Sequence, residues 1–191
     1  MSLKDLIQKN RSYRRFFQEH EIKYDTLKEL VELARLSPSA ANLQPLRYIL
    51  SHYPEKNASI FNELKWAAYL KDWVGPAEGE RPSAYIVMLS DINVSKTLIC
   101  DHGIAAQSIL LGAVEKGLGG CILAAINREN LRIALNIPAH YEILLVIALG
   151  KPREKVMIDP IGETGDVKYW RDSESVHHVP KRSLDDIILD N

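Results

Sequence analysis

The segment 97–117 constrains the fold most, because it has the longest helical pattern in the chain and almost no polar side. A helix that is apolar nearly all round is stable only when other elements bury it. The segment therefore requires a sheet or a second subunit to pack against it. Its apolar residues are Ile104, Ala105, Ile109, Leu110, Ala113 and Val114.

A sheet is predicted from four shorter apolar segments. The run 84–89 is continuously apolar between Pro82 and Asp91, which is typical of a strand buried on both faces. Ser2 begins a capping box that predicts a short first helix. The other predicted elements are strands at 46–52, 120–126 and 142–149 and helices at 25–36, 57–70 and 127–136.

Two parts of the chain lack such a pattern. Residues 71–82 combine a tryptophan with two glycines and two prolines, and they predict a mobile loop that acts as a lid within the range 62–82. The tail from residue 152 is charged and has no sustained period, so it predicts an arm without a partner inside the chain. With 191 residues in all, we expect a single domain.

Composition argues against several classes of partner. The net charge of -1 gives no electrostatic basis for binding nucleic acid. The longest apolar run, 143–149, is far shorter than the ~20 residues of a membrane-spanning helix, and the N-terminus has no apolar signal core. Cys100 and Cys121 lie outside any metal-ligand spacing, so we expect a reduced, cytoplasmic chain without a metal site.

A basic cluster follows the first helix. Arg11, Arg14 and Arg15 lie within five residues, together with Ser12, and an aromatic pair comes next. Arginine forks bind phosphate oxygens in a bidentate manner, and a serine hydroxyl adds a neutral donor. The cluster therefore predicts a pocket for a monophosphate. A solvated basic patch is the alternative for a cluster this short.

The segment 37–47 joins the second predicted helix to the first predicted strand, and Pro38 and Pro45 bracket it. Each proline restricts the residue before it, so both ends of the segment have a fixed conformation. The small and amide side chains between them allow close approach and offer hydrogen bonds without charge, which favours binding of a flat heterocycle. The alternative is a plain loop that ends one element and begins the next.

Four motifs, taken in order, resemble those of the FMN-dependent nitroreductase family. Each motif is short, so the resemblance depends on their shared order and spacing over nearly the whole chain. The motifs are Arg-Ser-Tyr-Arg at 11–14, Ser-Pro-Ser-Ala-Ala-Asn-Leu-Gln-Pro at 37–45, Gly-Leu-Gly-Gly-Cys at 117–121 and Val-Pro-Lys-Arg-Ser-Leu at 179–184.

The resemblance implies an α+β fold in which a central, mostly antiparallel sheet is surrounded by helices. It implies a single nitroreductase-like FMN-binding domain over 1–191. A C-terminal arm at about 152–191 would be exchanged in a homodimer, with FMN at the subunit interface.

The same resemblance assigns the FMN phosphate to the basic cluster and the C-terminal motif, and it assigns the ring to the segment 37–47 of the second subunit. This chain departs from the family pattern at Ala124-Ala125, where relatives often carry Glu-Gly near the flavin. At these two positions only backbone donors are left to contact the flavin. The implied FMN-binding residues are Arg11, Ser12, Arg14, Pro38, Ser39, Ala40, Asn42, Gln44, Leu123, Ala124, Lys181 and Arg182.

The implied activity is that of an NAD(P)H-dependent FMN oxidoreductase. Flavin N5 accepts a hydride from NADH or NADPH, and a small nitroaromatic, quinone-like or other acceptor is then reduced. Because the chemistry belongs to the cofactor, no catalytic side chain is expected. Three alternatives stay open: a flavoenzyme of the same fold that performs reductive dehalogenation or flavin fragmentation, a non-catalytic flavin-binding or storage protein, and a phosphate-binding module without a redox role.

Overall fold

A computed structural model of the chain, which describes residues 1–97 and 99–189, has an α+β fold. A 3-10 turn at Ala40–Asn42 lies between the second helix and the second strand. The helices are α1 (Leu3–Lys9), α2 (Tyr24–Arg35), α3 (Pro54–Phe61), α4 (Asp101–Glu115) and α5 (Arg128–Ala134). The strands are β1 (Phe16–Phe17), β2 (Leu46–Ser51), β3 (Ala84–Asp91), β4 (Gly119–Leu123), β5 (Tyr141–Pro152), β6 (Val156–Pro160), β7 (Trp170–Arg171) and β8 (His177–Lys181).

The central sheet is built around β5, which pairs with β3 along one edge and with β4 along the other. The last two residues of β5 pair with β1, and β2 adds to the outer edge of β3. Val146 fixes the register, because it lies opposite Val87 of β3 and Leu123 of β4. All these pairings are antiparallel, so the predicted sheet and its strands at 46–52, 84–89 and 142–149 are confirmed.

The sheet separates two hydrophobic cores. All eight residues of β3 are buried, and successive side chains of a strand point to opposite faces. Ile86 and Met88 pack against the side of the sheet that α2 and α4 cover. Tyr85 and Val87 pack on the other side, with residues of α3 and α5. Burial on both faces explains why the predicted strand at 84–89 has no polar alternation.

The long apolar helix is α4, and the sheet and α2 bury one side of it. Ala106, Ile109 and Ala113 are fully buried there. A side chain at Gly112 would collide with Leu33 of α2, so this glycine lets the two helices approach closely. Ile104 remains 36% exposed, so the apolar surface of the helix is not wholly covered. Within residues 1–97 and 99–189, every helix is too short or too polar to cross a bilayer.

The glycine motif allows the N-terminal basic loop to lie directly on β4. The backbone N–H of Tyr13 donates to the carbonyl of Gly120 at 3.0 Å. A Cβ atom at Gly119 would lie 2.5 Å from the Tyr13 ring, and one at Gly120 would lie 2.6 Å from the carbonyl oxygen of Ala148. Any larger residue would therefore push the loop or the strand away. The predicted strand at 120–126 is correct in position, but β4 ends at Leu123.

The helix predicted at 57–70 is wrong beyond its first turns. Pro54 stands at the start of α3, where its fixed φ favours a helix, and the helix ends at Phe61. Leu64 then forms an antiparallel bridge with Ile126, and the N–H of Lys65 donates to the carbonyl of Ala125 at 3.0 Å. The backbone of this stretch is therefore paired with the chain beyond β4 instead of with itself.

The prediction that the tail has no partner inside the chain is also wrong. β8 pairs in parallel with β6 and antiparallel with β7, which makes a second sheet of three strands. This sheet and the residue before β7 contact the predicted lid. The Arg171 guanidinium lies 4.7 Å from the Trp73 ring, and the ring centroids of Tyr69 and Tyr169 are 5.0 Å apart. The exchange of the arm between subunits stays a prediction.

Candidate functional site

The structure brings Arg11, Ser12 and Arg14 together in the loop between α1 and β1. The Arg11 Nη2 atom donates to the carbonyl of Ile7 at 2.8 Å, and Arg14 Nη1 donates to the carbonyl of Ser12 at 3.2 Å. Ser12 is exposed and bridges Gly120 at the start of β4. Two guanidinium groups and a hydroxyl thus share one short loop that the glycine strand supports.

A buried carboxylate holds this loop in place. The side chain of Glu154 is 1% exposed and accepts the backbone N–H of Arg14 and, at 3.2 Å, that of Arg15. Its other oxygen accepts from Arg171 Nη2 at 3.0 Å. Because the charge of Glu154 is paired and hydrogen-bonded, its burial is tolerated. The loop, the end of the central sheet and the C-terminal sheet therefore meet at this side chain.

Two residues of the C-terminal segment contact Arg14 and were not found from the sequence. His177 is 1% exposed, and its Nε2 atom lies 3.1 Å from Arg14 Nη1. The Arg14 guanidinium also lies 4.8 Å from the centre of the Tyr169 ring. Burial, and then the positive charge of Arg14, lower the pKa of His177 to about 4. The Nε2 atom of a neutral His177 can accept a hydrogen bond from the Arg14 guanidinium. The adjacent pair His177-His178 was the one signal in the sequence.

Lys181 and Arg182 lie away from this loop in the single chain. Lys181 is four residues beyond His177 on β8, which places it about 13 Å further along the strand. Both residues line a hollow with Asp159 and Ile161. Within the described part of the chain, no hydrogen bond or ion pair joins them to Arg11, Ser12 or Arg14. Their role in a phosphate cage stays a prediction.

The loop 37–47 is anchored by Asp101, the first residue of α4, which sequence reasoning missed. Asp101 is 4% exposed and accepts the Ser39 hydroxyl and, at 3.2 Å, the backbone N–H of Ala40. The Ser39 hydroxyl in turn accepts the N–H of Gln44 at 2.9 Å. Ser39 therefore stabilises the loop from inside, whereas Pro38, Asn42 and Gln44 are exposed.

Three residues of this loop have left-handed backbone conformations. The φ angles are 48° at Ala41, 55° at Asn42 and 53° at Gln44, and none of these residues is glycine. Such conformations cost about 1–3 kcal/mol each and persist where the surroundings fix them, commonly at functional sites. The loop is therefore a shaped surface rather than a plain connection, which supports a binding role.

The end of β4 has only backbone groups and one small side chain available to contact a ligand. Leu123 is 5% exposed and its side chain packs in the core on the α3 and α5 side, so only its backbone is available. Ala124 is exposed directly after the strand, and its carbonyl accepts from Arg128 Nη2 at 3.3 Å. Beneath the basic loop, burial raises the pKa of the Cys121 thiol. This keeps Cys121 protonated and unreactive.

The basic loop fits a phosphate-bearing cofactor such as FMN. Arg11 Nε is buried and has no hydrogen-bond partner among residues 1–97 and 99–189. A buried donor without a partner costs free energy that an acceptor oxygen would recover. Phosphate oxygens match the donor set of Arg11, Arg14 and the exposed Ser12, because arginine pairs with phosphate through charge-assisted hydrogen bonds.

A comparison with known families identifies the class of protein to which this fold and site belong. Residues 7–151 match the model described as Nitroreductase family, so the chain belongs to the nitroreductase family. A protein of Archaeoglobus fulgidus provisionally named NADH dehydrogenase/NAD(P)H nitroreductase is 27% identical over 149 residues, which cover 74% of this chain and 80% of that protein. The 5,6-dimethylbenzimidazole synthase of Rhodospirillum rubrum is 23% identical in an alignment of 191 positions that covers 88% of each chain.

A solved structure supports the fold. The FMN-dependent nitroreductase of Clostridium difficile R20291 superposes with a TM-score of 0.64 and 24% identity. The superposition covers 78% of this chain and 87% of that one. At this level of identity the likeness establishes the fold, and it confirms the α+β nitroreductase fold expected from the four sequence motifs.

The histidine that follows His177 has the opposite electrostatic environment. His178 Nδ1 lies 2.7 Å from Asp159 Oδ2, and Nε2 lies 3.2 Å from Asp172 Oδ2. These hydrogen bonds, with that to Asp172 the stronger cause, raise the pKa of His178. Its ring also stacks on Trp170 with the two planes 6° apart.

We expect the two histidines to give the free energy of unfolding opposite pH dependences. Because folding lowers the pKa of His177 to about 4, its contribution is present above about pH 6.5 and is lost as the pH falls towards about 4. Because folding raises the pKa of His178, its contribution is complete below about pH 6.5 and is lost as the pH rises through the folded value.

Urea denaturation of wild type, His177→Gln and His178→Gln from about pH 4 to about pH 8 measures both contributions. Other titrating groups act alike in the three proteins, so each variant is compared with wild type at the same pH. The advantage of wild type over His177→Gln should shrink as the pH falls, and its advantage over His178→Gln should shrink as the pH rises. Differences that do not change with pH would contradict the assignment.

Proposed function

We propose that the protein is an FMN-dependent oxidoreductase that takes reducing equivalents from NAD(P)H and passes them to a small acceptor. The observation that carries the proposal is the loop of Arg11, Ser12 and Arg14, which Glu154 fixes. This loop holds a buried guanidinium donor that finds no acceptor among the described residues. When bound, FMN supplies the redox chemistry at its N5 atom. The name of the Archaeoglobus fulgidus relative includes NAD(P)H, which supports a nicotinamide as the electron donor. The Clostridium difficile protein is named FMN-dependent, which supports FMN as the cofactor.

The residues of the chain bind and orient the cofactor in this proposal. Arg11, Ser12 and Arg14 hold the phosphate. Lys181 and Arg182 lie away from them in the single chain, and in this proposal the exchanged arm of the second subunit brings them to the cage. The strained loop 37–47 of a second subunit faces the ring through the exposed Asn42 and Gln44 and through Pro38, Ala40 and the backbone of Ser39. The backbone at Leu123 and Ala124 lies along the opposite edge of the flavin ring. No side chain acts as nucleophile or general base.

Placing the loop 37–47 on the flavin of another chain requires a homodimer. Apolar surface left open in one chain supports it: Ile104 of α4 is 36% exposed, and Leu184, Ile187 and Leu189 of the tail are 69%, 58% and 84% exposed. The three tail residues lie within six positions of one another, and clustered exposed apolar residues are typical of protein interfaces. We expect sedimentation at micromolar concentration to show a dimer. A monomer that retains FMN would overturn the shared site.

A second candidate is an enzyme that fragments flavin. The Rhodospirillum rubrum relative is named for making 5,6-dimethylbenzimidazole, whose dimethylated benzene ring is also part of the flavin ring system. The identity to this relative is 23%, close to the 27% of the nitroreductase-named relative, over a longer stretch of chain. Product analysis separates the candidates, because fragmentation consumes reduced flavin in oxygen and releases the benzimidazole.

Anaerobic titration of the purified protein with NADH and with NADPH tests the proposed function. We expect the protein to be yellow and its flavin absorption to bleach with one equivalent of nicotinamide per flavin. Restoring colour with a nitroaromatic or a quinone, without oxygen, would show transfer to the acceptor. A colourless protein that cannot be loaded with FMN would overturn the proposal. A flavin that neither nicotinamide reduces would favour a storage protein.

Replacing Arg14 by alanine should weaken FMN binding more than it weakens folding. A hydrogen bond to a charged group contributes about 1.5–3 kcal/mol, so we expect the dissociation constant to rise about 10-fold to 100-fold. Arg153→Ala is the matched control, because this arginine is nearby and 46% exposed but pairs with Glu80 instead. Fluorescence titration of apoprotein with FMN measures both. Equal affinity of Arg14→Ala and wild type would make Arg14 a surface charge.

A further inference from the structure

One cavity of the chain has none of the residues assigned to FMN in its walls. Its volume is about 630 Å³, which is the size of a small-molecule site. Its walls come from the loop after β1 (18–24), the start of α3 and the chain before it (52–61), and the loop that leads into β3 (78–85). In that last loop Glu80 turns away to pair with Arg15, whereas Glu78 and Arg81 line the cavity.

Three hydrogen-bond donors in the wall have no partner in the part of the chain that the structure describes. The hydroxyl of Tyr85, the hydroxyl of Ser83 and the Nε atom of Arg81 are all buried, and none has a hydrogen bond to residues 1–97 or 99–189. Tyr85 as a whole is 0% exposed. Buried polar side chains are nearly always hydrogen-bonded, so three such donors around one cavity point to an acceptor that the described residues do not supply.

The backbone around these donors is already satisfied. The N–H of Ser83 donates to the carbonyl of Leu149 at 3.0 Å, and the carbonyl of Ser83 accepts from Asn57 Nδ2 at 2.7 Å. The Ser51 hydroxyl donates to the Oδ1 atom of Asn57 at 2.7 Å, so both ends of this amide are hydrogen-bonded. The groups of this wall without a partner are therefore side-chain donors, which suit a ligand that carries an acceptor oxygen.

Aromatic rings surround the opening. The ring centroids of Tyr24 and His52 are 5.6 Å apart, and those of His52 and Tyr53 are 3.9 Å apart. Phe61 lies deeper, with the Arg81 guanidinium 4.4 Å from its centre. Tyr24 and Tyr53 are 49% and 63% exposed, although aromatic side chains gain most from contact with other rings. These rings contact one another, and their exposed faces offer a surface on which a flat ring stacks.

The charges of the wall cancel. Lys23 and Arg81 are balanced by Glu21 and Glu78, and Arg81 Nη1 lies 2.9 Å from a Glu78 oxygen. Because Arg81 already has a carboxylate partner, an anionic ligand would have to displace it. The wall therefore favours a neutral ligand over an acid.

We propose that this cavity binds a neutral aromatic molecule that carries a carbonyl oxygen. The ring lies against Tyr24, His52 and Tyr53, and the oxygen accepts from the donors of Tyr85, Ser83 and Arg81. This site is separate from the FMN residues and does not depend on the proposed redox function.

Benzamide is a suitable probe, because it is neutral and flat and has one carbonyl. Titration of the isotope-labelled protein of 191 residues should give saturable amide shifts at 18–24, 52–61 and 78–85. Tyr85→Phe should raise the dissociation constant about 2-fold to 10-fold, since it removes one neutral hydrogen bond. Cyclohexanecarboxamide, which keeps the carbonyl but not the flat ring, should bind more weakly.

Tyr141→Phe is the matched control variant, because it makes the same chemical change at the opposite end of the β3–β5 pair. It should leave benzamide binding unchanged. If Tyr85→Phe fails to fold, Ser83→Ala removes a second donor and is expected to weaken binding similarly. The proposal is overturned if the cavity amides do not shift, as for a cavity that holds only water. It is overturned equally if shifts are confined to 11–14 and 37–47, or if the donor variants bind benzamide as wild type does.

Discussion

The carboxylate of Glu154 is the point on which the candidate site depends. It follows the central strand β5, accepts two backbone N–H groups of the basic loop and pairs with Arg171 of the C-terminal sheet. Removing one partner of such a buried pair costs about 3–5 kcal/mol, because it leaves an uncompensated charge. The geometry of Arg11, Ser12 and Arg14 is therefore set by the C-terminal segment as much as by the loop itself.

The fold could be predicted where one segment carries the whole signal. The strand β3 is buried on both faces, so its continuous apolar run predicted a strand without any knowledge of the neighbouring strands. The stretch 62–70 was not readable, because Leu64 and Ala68 continue the spacing of α3 while the backbone pairs with residues beyond β4. The C-terminal strands were missed for a similar reason: β7 is two residues long and exists only through its pairing with β8.

The candidate site was predictable in the same local sense. Arg11, Ser12 and Arg14 are adjacent in sequence, so their chemistry could be read as a cluster. His177 contacts Arg14 across 163 positions, and Asp101 binds Ser39 across 62. No spacing rule connects residues so far apart. The left-handed angles at Ala41, Asn42 and Gln44 were also hidden, because tertiary contacts rather than glycine impose them.

The position of β5 has a consequence for synthesis of the chain. β1, β3 and β4 all take β5 as a partner, yet β5 begins only at residue 141. A nascent chain can form the β2–β3 pair earlier, but the other edge of β3 and the whole of β4 wait for residues 141–152 to leave the ribosome. Unpaired apolar strand edges invite association with other chains. Slow translation before residue 141 would therefore prolong the most aggregation-prone stage in the life of this protein.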